Sequence, residues 1–290
     1  MAETDNVRRL RGYVSGMPSL PTTVTKVLEV CNNPKTSPID LDRVIQLDPV
    51  LMGRVLKLIN SAYYGLGTQV TSLVRAIIML GVNTVKNLAL STAIIDRVTS
   101  KSEFRALNME GYWRHSLAVG VTAKHLAKRR GADPKALEEY FAAGLLHDIG
   151  KIPLNDALAE DYVRAMSIAD RERLALWAAE SRELGVNHCE AGAVVAESWK
   201  LSGAIGDTIA WHHDLAGYQG SSADVLFTVA VANYYANREG IGFSGNLYPD
   251  KISPEIYAQL GIEKALLEEL DGPVNAEIEK AKVFLKLGGA

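Results

Sequence analysis

The chain has 290 residues, of which 48% are apolar and 22% charged, a composition that excludes a disordered protein. Its formal net charge of -3 and sequence pI of about 6.1 exclude the basic character typical of a nucleic-acid-binding domain. No apolar run approaches the roughly 18 residues of a membrane-spanning helix, and the first residues lack the apolar core of a secretory signal. Cys31 and Cys189 match no CxxC spacing and are predicted to be reduced thiols. We therefore expect a cytoplasmic protein that binds neither nucleic acid nor membranes.

Helical periodicity dominates the sequence, which predicts an all-α fold. A first helix is predicted at 22–31, and a second begins near Asp40. The dipeptide of Asp48 and Pro49 starts a third helix, because aspartate favours the N-cap and proline the first helical position. Gly81 separates two further apolar helices. About five helices are thus expected in the first hundred residues.

Charge and polarity rise through "DRVTSKSEF", and a chain of this length accommodates two packed subdomains. We predict an N-terminal helical subdomain at 1–100, packed on a helical bundle at 101–290. A loop rich in glycine and proline and two closing helices are expected at the end of the bundle. The other helices of the bundle are predicted at 109–128, 135–147, 156–184 in one or two pieces, 187–199, 203–213 and 223–238.

The segment "LLHDIGK" places His147 and Asp148 side by side at the end of a predicted helix. Imidazole nitrogens and carboxylate oxygens are ligands for zinc, iron and manganese, and one carboxylate can bridge two ions. Gly150 is predicted to be the left-handed residue that ends the helix, and Lys151 adds a cation near any bound anion. Because such a pair also occurs at ordinary helix ends, the segment alone leaves a metal site and a structural helix end open.

Five of the six histidines lie at predicted helix ends. Asn187 and Glu190 have capping-box spacing, which places His188 at the first helical position, where the helix dipole favours a neutral imidazole. His125 follows His115 by ten residues and therefore lies on another face of the helix, so we expect it to be solvated. A capping or core role is open for each histidine taken singly. Taken together, five of them are predicted metal ligands: His115, His147, His188, His212 and His213.

These histidines, with Asp148, make the second half of the chain resemble the HD superfamily of metal-dependent phosphohydrolases, and especially its HD-GYP branch. The segments "MPSLP", "IQLDPVLMGRVLKLINSAYYG" and "AIIMLGVNTVKNLAL" resemble the N-terminal part of HDOD domains. The resemblance extends from about Met17 to Asn237. It implies an all-α output module of bacterial signalling proteins, a class in which the metal ligands are often missing.

The sequence departs from the active HD pattern at three positions. The resemblance implies an aspartate after the histidine pair, but Asn233 in "VANYYAN" stands there, and its amide oxygen is a weaker, neutral ligand. The GYP signature is missing, because no proline follows Gly217 and Tyr218. Gly111, one helical turn before His115, offers no side chain as an additional ligand.

Three functions remain open on this basis. The first is a regulatory HDOD module that binds a signalling protein or a small phosphorylated ligand without turnover. The second is a metal-dependent phosphohydrolase or cyclic-dinucleotide-type phosphodiesterase, in which Asp148 bridges two ions and Lys151 steadies the phosphate. The third is a metal centre that senses metal, redox or oxygen state. We favour the first, with a retained dinuclear site for a divalent transition metal: iron, or alternatively manganese or zinc.

Overall fold

The computed structural model describes residues 5–33, 35–99 and 106–287. Every regular element in these ranges is a helix, which confirms the predicted all-α class. The helices are α1 (Asp5–Gly16), α2 (Thr22–Cys31), α3 (Pro38–Ile45), α4 (Pro49–Ile59), α5 (Leu73–Leu80), α6 (Val82–Thr99), α7 (Met109–Arg129), α8 (Leu137–Leu146), α9 (Lys151–Ala157), α10 (Ala159–Glu172), α11 (Leu176–Leu184), α12 (His188–Ser198), α13 (Gly203–Trp211), α14 (Ala223–Arg238), α15 (Pro254–Leu260), α16 (Lys264–Glu268), α17 (Asp271–Ala281) and α18 (Val283–Leu287).

The five helices predicted in the first hundred residues are present as α2 to α6. Asp48 caps α4, since its carboxylate accepts a hydrogen bond from the backbone N–H of Leu51 at 2.9 Å. Gly81 ends α5 with a φ of 92°, a conformation that favours glycine. Helix α1 was not predicted, because its charged sequence buries only Leu10 and Val14. Their burial depends on packing of α1 against α9 and α12.

The second half of the chain follows the predicted helices, with two differences. Between 156 and 184 the two predicted pieces are α10 and α11. They are separated at Arg173, whose φ of 56° cannot continue a helix. The short helix α9 precedes them and was not predicted. The prediction of two closing helices was wrong, because α15 to α18 occupy this region. Gly261, with a φ of 63°, ends the first of these four helices early.

Two glycines bring α7 and α8 into close contact. A Cβ atom at Gly120 would lie 2.7 Å from the carbonyl oxygen of Phe141, and one at Gly144 would lie 2.8 Å from the Cα of Gly120. Any larger side chain would therefore force the two helices apart. Since His115 lies on α7 and His147 directly follows α8, this packing sets the distance between the two histidines.

Helices from both predicted subdomains contact each other. Helix α6 packs on α8, and the C-terminal α18 packs on α4 and α6. The buried apolar side chains of the two parts form one continuous cluster. The division at residue 100 stays a prediction, because residues 100–105, which include most of "DRVTSKSEF", lie outside the described residues.

Among the helices within 5–33, 35–99 and 106–287, none is by itself both long and apolar enough to cross a bilayer. Helices α5 and α6 reach that length and hydropathy only as a pair, and the pair is bent by 115°.

Candidate metal centre

The ends of four helices bring the predicted ligands together in the interior. His115 lies near the start of α7, His147 directly follows α8, His188 is the first residue of α12, and His212 directly follows α13. Asp148 occupies the turn between α8 and α9. The side chains of all five are at most 3% exposed. The Asn187 capping box that places His188 at the start of α12 is present, as the sequence predicts.

The carboxylate of Asp148 lies between two pairs of histidines. On one side, Oδ2 is 3.2 Å from Nε2 of His147 and 3.8 Å from Nε2 of His115. On the other side, Oδ1 is 3.3 Å from Nε2 of His188 and 3.5 Å from Nε2 of His212. Four imidazole nitrogens therefore converge on one carboxylate, so that each of its oxygens can share a cation with two histidines.

Hydrogen bonds at the far side of three imidazole rings orient their Nε2 atoms. Nδ1 of His147 and Nδ1 of His212 lie 2.7 and 3.0 Å from backbone carbonyl oxygens of the preceding helical turn. Nδ1 of His188 lies 2.6 Å from the carboxylate of Glu180. These acceptors require a proton on Nδ1, so each ring, in its neutral form, would present the lone pair of Nε2 to Asp148, the arrangement typical of metal-ligating histidines.

The protonation states of three groups at the centre suit a cation, whereas His212 must lose a proton to bind one. Burial acts to lower the pKa of His212, but Cys189 and Asp148 outweigh it and raise the pKa to about 9. Burial lowers the pKa of His115 to about 3 and the pKa of His188 well below its usual value, so both rings are neutral. Burial acts to raise the pKa of Asp148, but the neighbouring His147 and Lys151 outweigh it and hold the pKa well below its usual value. Neutral imidazoles and an ionised carboxylate are the forms that coordinate metals.

Two buried polar atoms of the centre lack a partner among the described residues, and a metal ion could supply one. Within the part of the chain that the structure describes, Nε2 of His147 and Oδ1 of Asp148 have no hydrogen-bond partner. Buried polar atoms without partners are costly, and those of a native structure call for an ion or a water molecule. Because both atoms belong to the convergent set, a divalent cation is the partner that satisfies them best.

Lys151 is the buried counter-ion of Asp148. Its Nζ donates to Oδ2 of Asp148 at 2.7 Å and to the backbone carbonyl of Ser244 at 3.0 Å, and the side chain is 2% exposed. The two oxygens of Asp148 are therefore unequal, since Oδ2 has an ammonium partner and Oδ1 has none among the described residues. The phosphate-binding role of Lys151 stays a prediction. The ammonium group would have to leave Asp148 to contact a phosphate.

Asn233 lies beside His115, where the resemblance implies an aspartate. Its Oδ1 is 3.0 Å from Nε2 of His115 and accepts a hydrogen bond from Nδ2 of Asn237 at 2.7 Å. Ser244 in turn donates to Oδ1 of Asn237 at 2.7 Å. The side of the centre that contains His115 thus has a neutral amide in a fixed orientation and lacks a second carboxylate.

The prediction that Gly150 adopts a left-handed conformation was wrong, because its φ is -68° and its ψ is -15°. Close packing requires the glycine instead. A Cβ atom at this position would overlap the carbonyl oxygen of His188 and would lie 2.8 Å from the Cα of Gly192. The absence of a side chain at Gly150 therefore allows the start of α9 to touch α12 and keeps His188 close to Asp148.

The remaining histidines differ in position. The ring of His213 is half-buried, with its centroid 4.4 Å from that of His212 and 5.0 Å from that of His188. It lines a cavity of about 620 Å³ that also reaches His212 and Asn233, so a small molecule can approach the centre from this side. Half-buried His125 belongs to neither of the ligand groups identified among the described residues. Metal binding by the predicted set itself stays a prediction.

Sequence reasoning missed two residues at the centre. Glu180, fully buried on α11, accepts hydrogen bonds from the backbone N–H of His188 at 2.8 Å and from its Nδ1 at 2.6 Å. Cys189 places Sγ 3.7 Å from Nδ1 and 3.9 Å from Nε2 of His212. The spacing of Glu180 from His188 has no recognisable pattern. The position of Cys189 directly after a predicted ligand was the only available signal for the thiol.

Replacing Glu180 with glutamine is expected to weaken metal binding about 10- to 100-fold, because an amide is a weaker acceptor than a carboxyl group for the hydrogen bonds that orient His188. Titration of the metal-free protein with Zn²⁺ against a competing chelator measures the change. Glu183→Gln, on the same helix but exposed to solvent, is the matched control and should leave the affinity unchanged. Equal affinities of the wild type and Glu180→Gln would contradict the orienting role.

Known proteins resemble the chain over most of its length. The family model for the HDOD domain matches residues 17–215. A crystal structure of an HDOD domain protein of unknown function from Geobacter sulfurreducens is 26% identical, with a TM-score of 0.74 over 96% of this chain and 97% of that chain. A crystal structure of a protein of Shewanella amazonensis SB2B, provisionally named a phosphohydrolase, is 25% identical, with a TM-score of 0.69 over 95% of this chain and 98% of that chain. An uncharacterized protein of Treponema pallidum (strain Nichols) is 26% identical over 220 residues, and these residues make up 76% of this chain but only 42% of that protein.

Proposed function

Because the chain belongs to the HDOD domain family, we propose that it is a cytoplasmic regulatory module of bacterial signal transduction with a retained dinuclear metal centre. The observation that carries the proposal is the position of the Asp148 carboxylate between two pairs of histidine Nε2 atoms, at 3.2 to 3.8 Å. Each carboxylate oxygen, together with the two imidazoles on its side, can bind one ion, so Asp148 would bridge two ions. Besides Asp148 and the four histidines around it, His213 is the sixth predicted metal ligand.

The charge of the centre favours regulation over turnover. Asp148 is the one carboxylate among the predicted ligands, and Lys151 already neutralises much of its charge. Asn233 adds no charge on the side of His115. Anionic ligands offset the mutual repulsion of two divalent ions that are held close together. With fewer anionic ligands the ions are held less firmly, and a binding or sensing role is better supported than hydrolysis.

The metal is expected to be a divalent transition ion. Imidazole-rich sites suit iron, zinc and manganese. Iron is favoured because a histidine-rich dinuclear site suits it, and iron would make the module sensitive to redox state. When bound, the metal would supply positive charge for an anionic ligand. The proposed ligand is a signalling protein or a small phosphorylated molecule, and the cavity at His213 offers a small molecule a path to the centre.

Metal analysis of the full chain, purified without an affinity tag, tests the proposal directly. We expect at least about one equivalent of a transition metal per chain in the wild type and little in His147→Ala. His125→Ala is the matched control, since this histidine lies outside the ligand groups among the described residues. Less than about one equivalent in the wild type, after reconstitution with Fe²⁺, Mn²⁺ and Zn²⁺ in turn, would overturn the metal centre.

Metal-dependent phosphohydrolysis is the second candidate, and the cavity of about 620 Å³ beside His212 and His213 favours it. There the residues of the centre would bind and orient a phosphate ester, and Lys151 would have to leave Asp148 to reach it. A chromogenic phosphodiester distinguishes the two functions. Equal rates for the metal-loaded wild type and His147→Ala are expected for the regulatory module, whereas turnover that is lost in the variant would establish the hydrolase.

Replacing Asn233 with aspartate is expected to strengthen metal binding on the side of His115. The new carboxylate would keep the hydrogen bond from Asn237 and would add a charged oxygen next to Nε2 of His115. We expect the dissociation constant for Mn²⁺ to fall at least about tenfold, which corresponds to about 1.4 kcal/mol. Calorimetric titration of both proteins gives the affinity and the stoichiometry. An unchanged or weaker affinity would show that Asn233 does not limit the site.

A further inference from the structure

We propose that Cys189 is a metal ligand, which with His188, His212 and Oδ1 of Asp148 forms a four-coordinate site containing a thiolate. The inference rests on the proposed metal centre and assigns the coordination on one side of it. The side chains of His188, Cys189 and His212 lie close enough together to hold one ion, with their potential ligand atoms all within 4.8 Å of one another. All three side chains are buried.

The two histidine nitrogens and the Asp148 oxygen have the spacing of three ligands of one tetrahedral ion. Zinc bonds of about 2.0–2.1 Å to nitrogen and about 2.3 Å to sulfur separate two nitrogens by about 3.3 Å and a nitrogen from a sulfur by about 3.6 Å. In the structure Nε2 of His188 lies 3.3 Å from Nε2 of His212, and Sγ of Cys189 lies 3.9 Å from the latter. Oδ1 of Asp148 lies 3.3 and 3.5 Å from the same two nitrogens. Sγ of Cys189 lies slightly nearer to Nδ1 of His212, at 3.7 Å, than to Nε2, and therefore sits beside the ring. A rotation of the Cys189 side chain about its Cα–Cβ bond is needed to bring the sulfur in front of Nε2 and complete the tetrahedron.

The unpartnered carboxylate oxygen points to this side of the centre. Oδ1 of Asp148 is fully buried and has no hydrogen-bond partner among the described residues, whereas Oδ2 has the ammonium of Lys151. A cation beside Oδ2 would be repelled by that ammonium, and a cation beside Oδ1 would not face it directly. The first ion is therefore expected at Oδ1, which is the side that contains Cys189.

The position of Cys189 in α12 explains how it reaches the site. His188 and Cys189 are the first two residues of the helix, and Glu180 holds His188 through both its backbone N–H and its Nδ1. Consecutive residues of a helix point about 100° apart, so both can border one ion located at the helix start. The side chain of Cys189 turns inward there, and the residue is only 7% exposed.

A thiolate changes the chemistry of the centre. Thiolates favour zinc or iron over manganese, and four protein ligands fill a zinc ion without leaving a position for a reacting water. His213 lines the cavity and is then free to face a ligand there. A closed site of this kind has the structural or regulatory character of the proposed module and makes hydrolysis on this side unfavourable.

Cobalt substitution tests the thiolate directly, because the chain has only two cysteines. The full chain is stripped with a chelator and titrated with Co²⁺ while the near-ultraviolet spectrum is recorded. We expect a thiolate-to-cobalt charge-transfer band that saturates at one equivalent in the wild type and in the matched variant Cys31→Ser, and that is missing in Cys189→Ser. Bound Co²⁺ without the band in the wild type would overturn the role of Cys189 and leave the histidine and aspartate centre standing. No binding of Co²⁺ or Zn²⁺ by the wild type would overturn both.

A second measurement uses the wild-type protein and needs no variant. X-ray absorption at the zinc edge of the wild-type protein, loaded with one equivalent of Zn²⁺, should contain one sulfur neighbour at about 2.3 Å in addition to nitrogen and oxygen neighbours at about 2.0–2.2 Å. A first shell made of nitrogen and oxygen alone would overturn the assignment of Cys189.

Discussion

Replacing Asp148 with asparagine is expected to abolish tight metal binding and to lower the free energy of unfolding of the metal-free protein by about 3–5 kcal/mol. The carboxylate contacts four imidazoles and is the buried partner of Lys151 at 2.7 Å. The amide has nearly the same size but no charge, so the ammonium of Lys151 would remain buried without a counter-ion. Denaturant titration in the presence of a chelator measures the stability without a contribution from bound metal.

A second variant separates the charge effect from the metal effect. Adding Lys151→Met to Asp148→Asn removes the unpaired ammonium, so most of the lost stability should return. Metal binding should not return, because the asparagine amide offers one neutral oxygen in place of the charged carboxylate. A double variant as unstable as Asp148→Asn would mean that loss of the ion pair does not cause the decrease in the free energy of unfolding. Retention of one tightly bound metal by Asp148→Asn would contradict the bridging role of Asp148.

Replacing Gly150 with alanine is expected to destabilise the protein by about 3 kcal/mol and to weaken metal binding, although only one methyl group is added. That methyl group would overlap the carbonyl oxygen of His188 and approach the Cα of Gly192. Because both contacts are with backbone atoms of α12, the whole helix must move. His188 would then move away from Oδ1 of Asp148. Thermal unfolding and Zn²⁺ titration measure the two effects.

Gly53→Ala is the matched control for this substitution. Gly53 is an exposed residue within α4, and a Cβ atom there meets nothing within 4 Å. Since alanine favours the helix over glycine, this variant should gain about 0.5–1 kcal/mol of stability and should bind metal as the wild type does. A Gly150→Ala protein with wild-type stability and affinity would show that α12 can shift without cost.

Much of the candidate centre was predictable because its predicted ligands lie at helix ends, and helix ends leave a signature in sequence. The capping residues around His188 and the apolar run before His147 defined where the chain turns. The N-terminal segments, together with the order of the histidines, identified the HDOD family. The helices α2 to α6 were predictable for a similar reason, since proline, glycine and aspartate mark their limits. Helix α1 was not, because its burial depends on α9 and α12, which are distant in sequence.

The sequence by itself determined the helical class and the residue types that can bind a metal, because helical periodicity, caps and ligand chemistry are local properties. Only the tertiary structure decided which oxygen of Asp148 is paired with Lys151, that Glu180 holds His188, and that Cys189 lies beside His212. It also revealed that Gly150 is needed for close packing rather than for a left-handed turn. These features depend on how α8, α9, α11, α12 and α13 meet, and contacts between segments far apart in the chain leave no periodic pattern within any one of them.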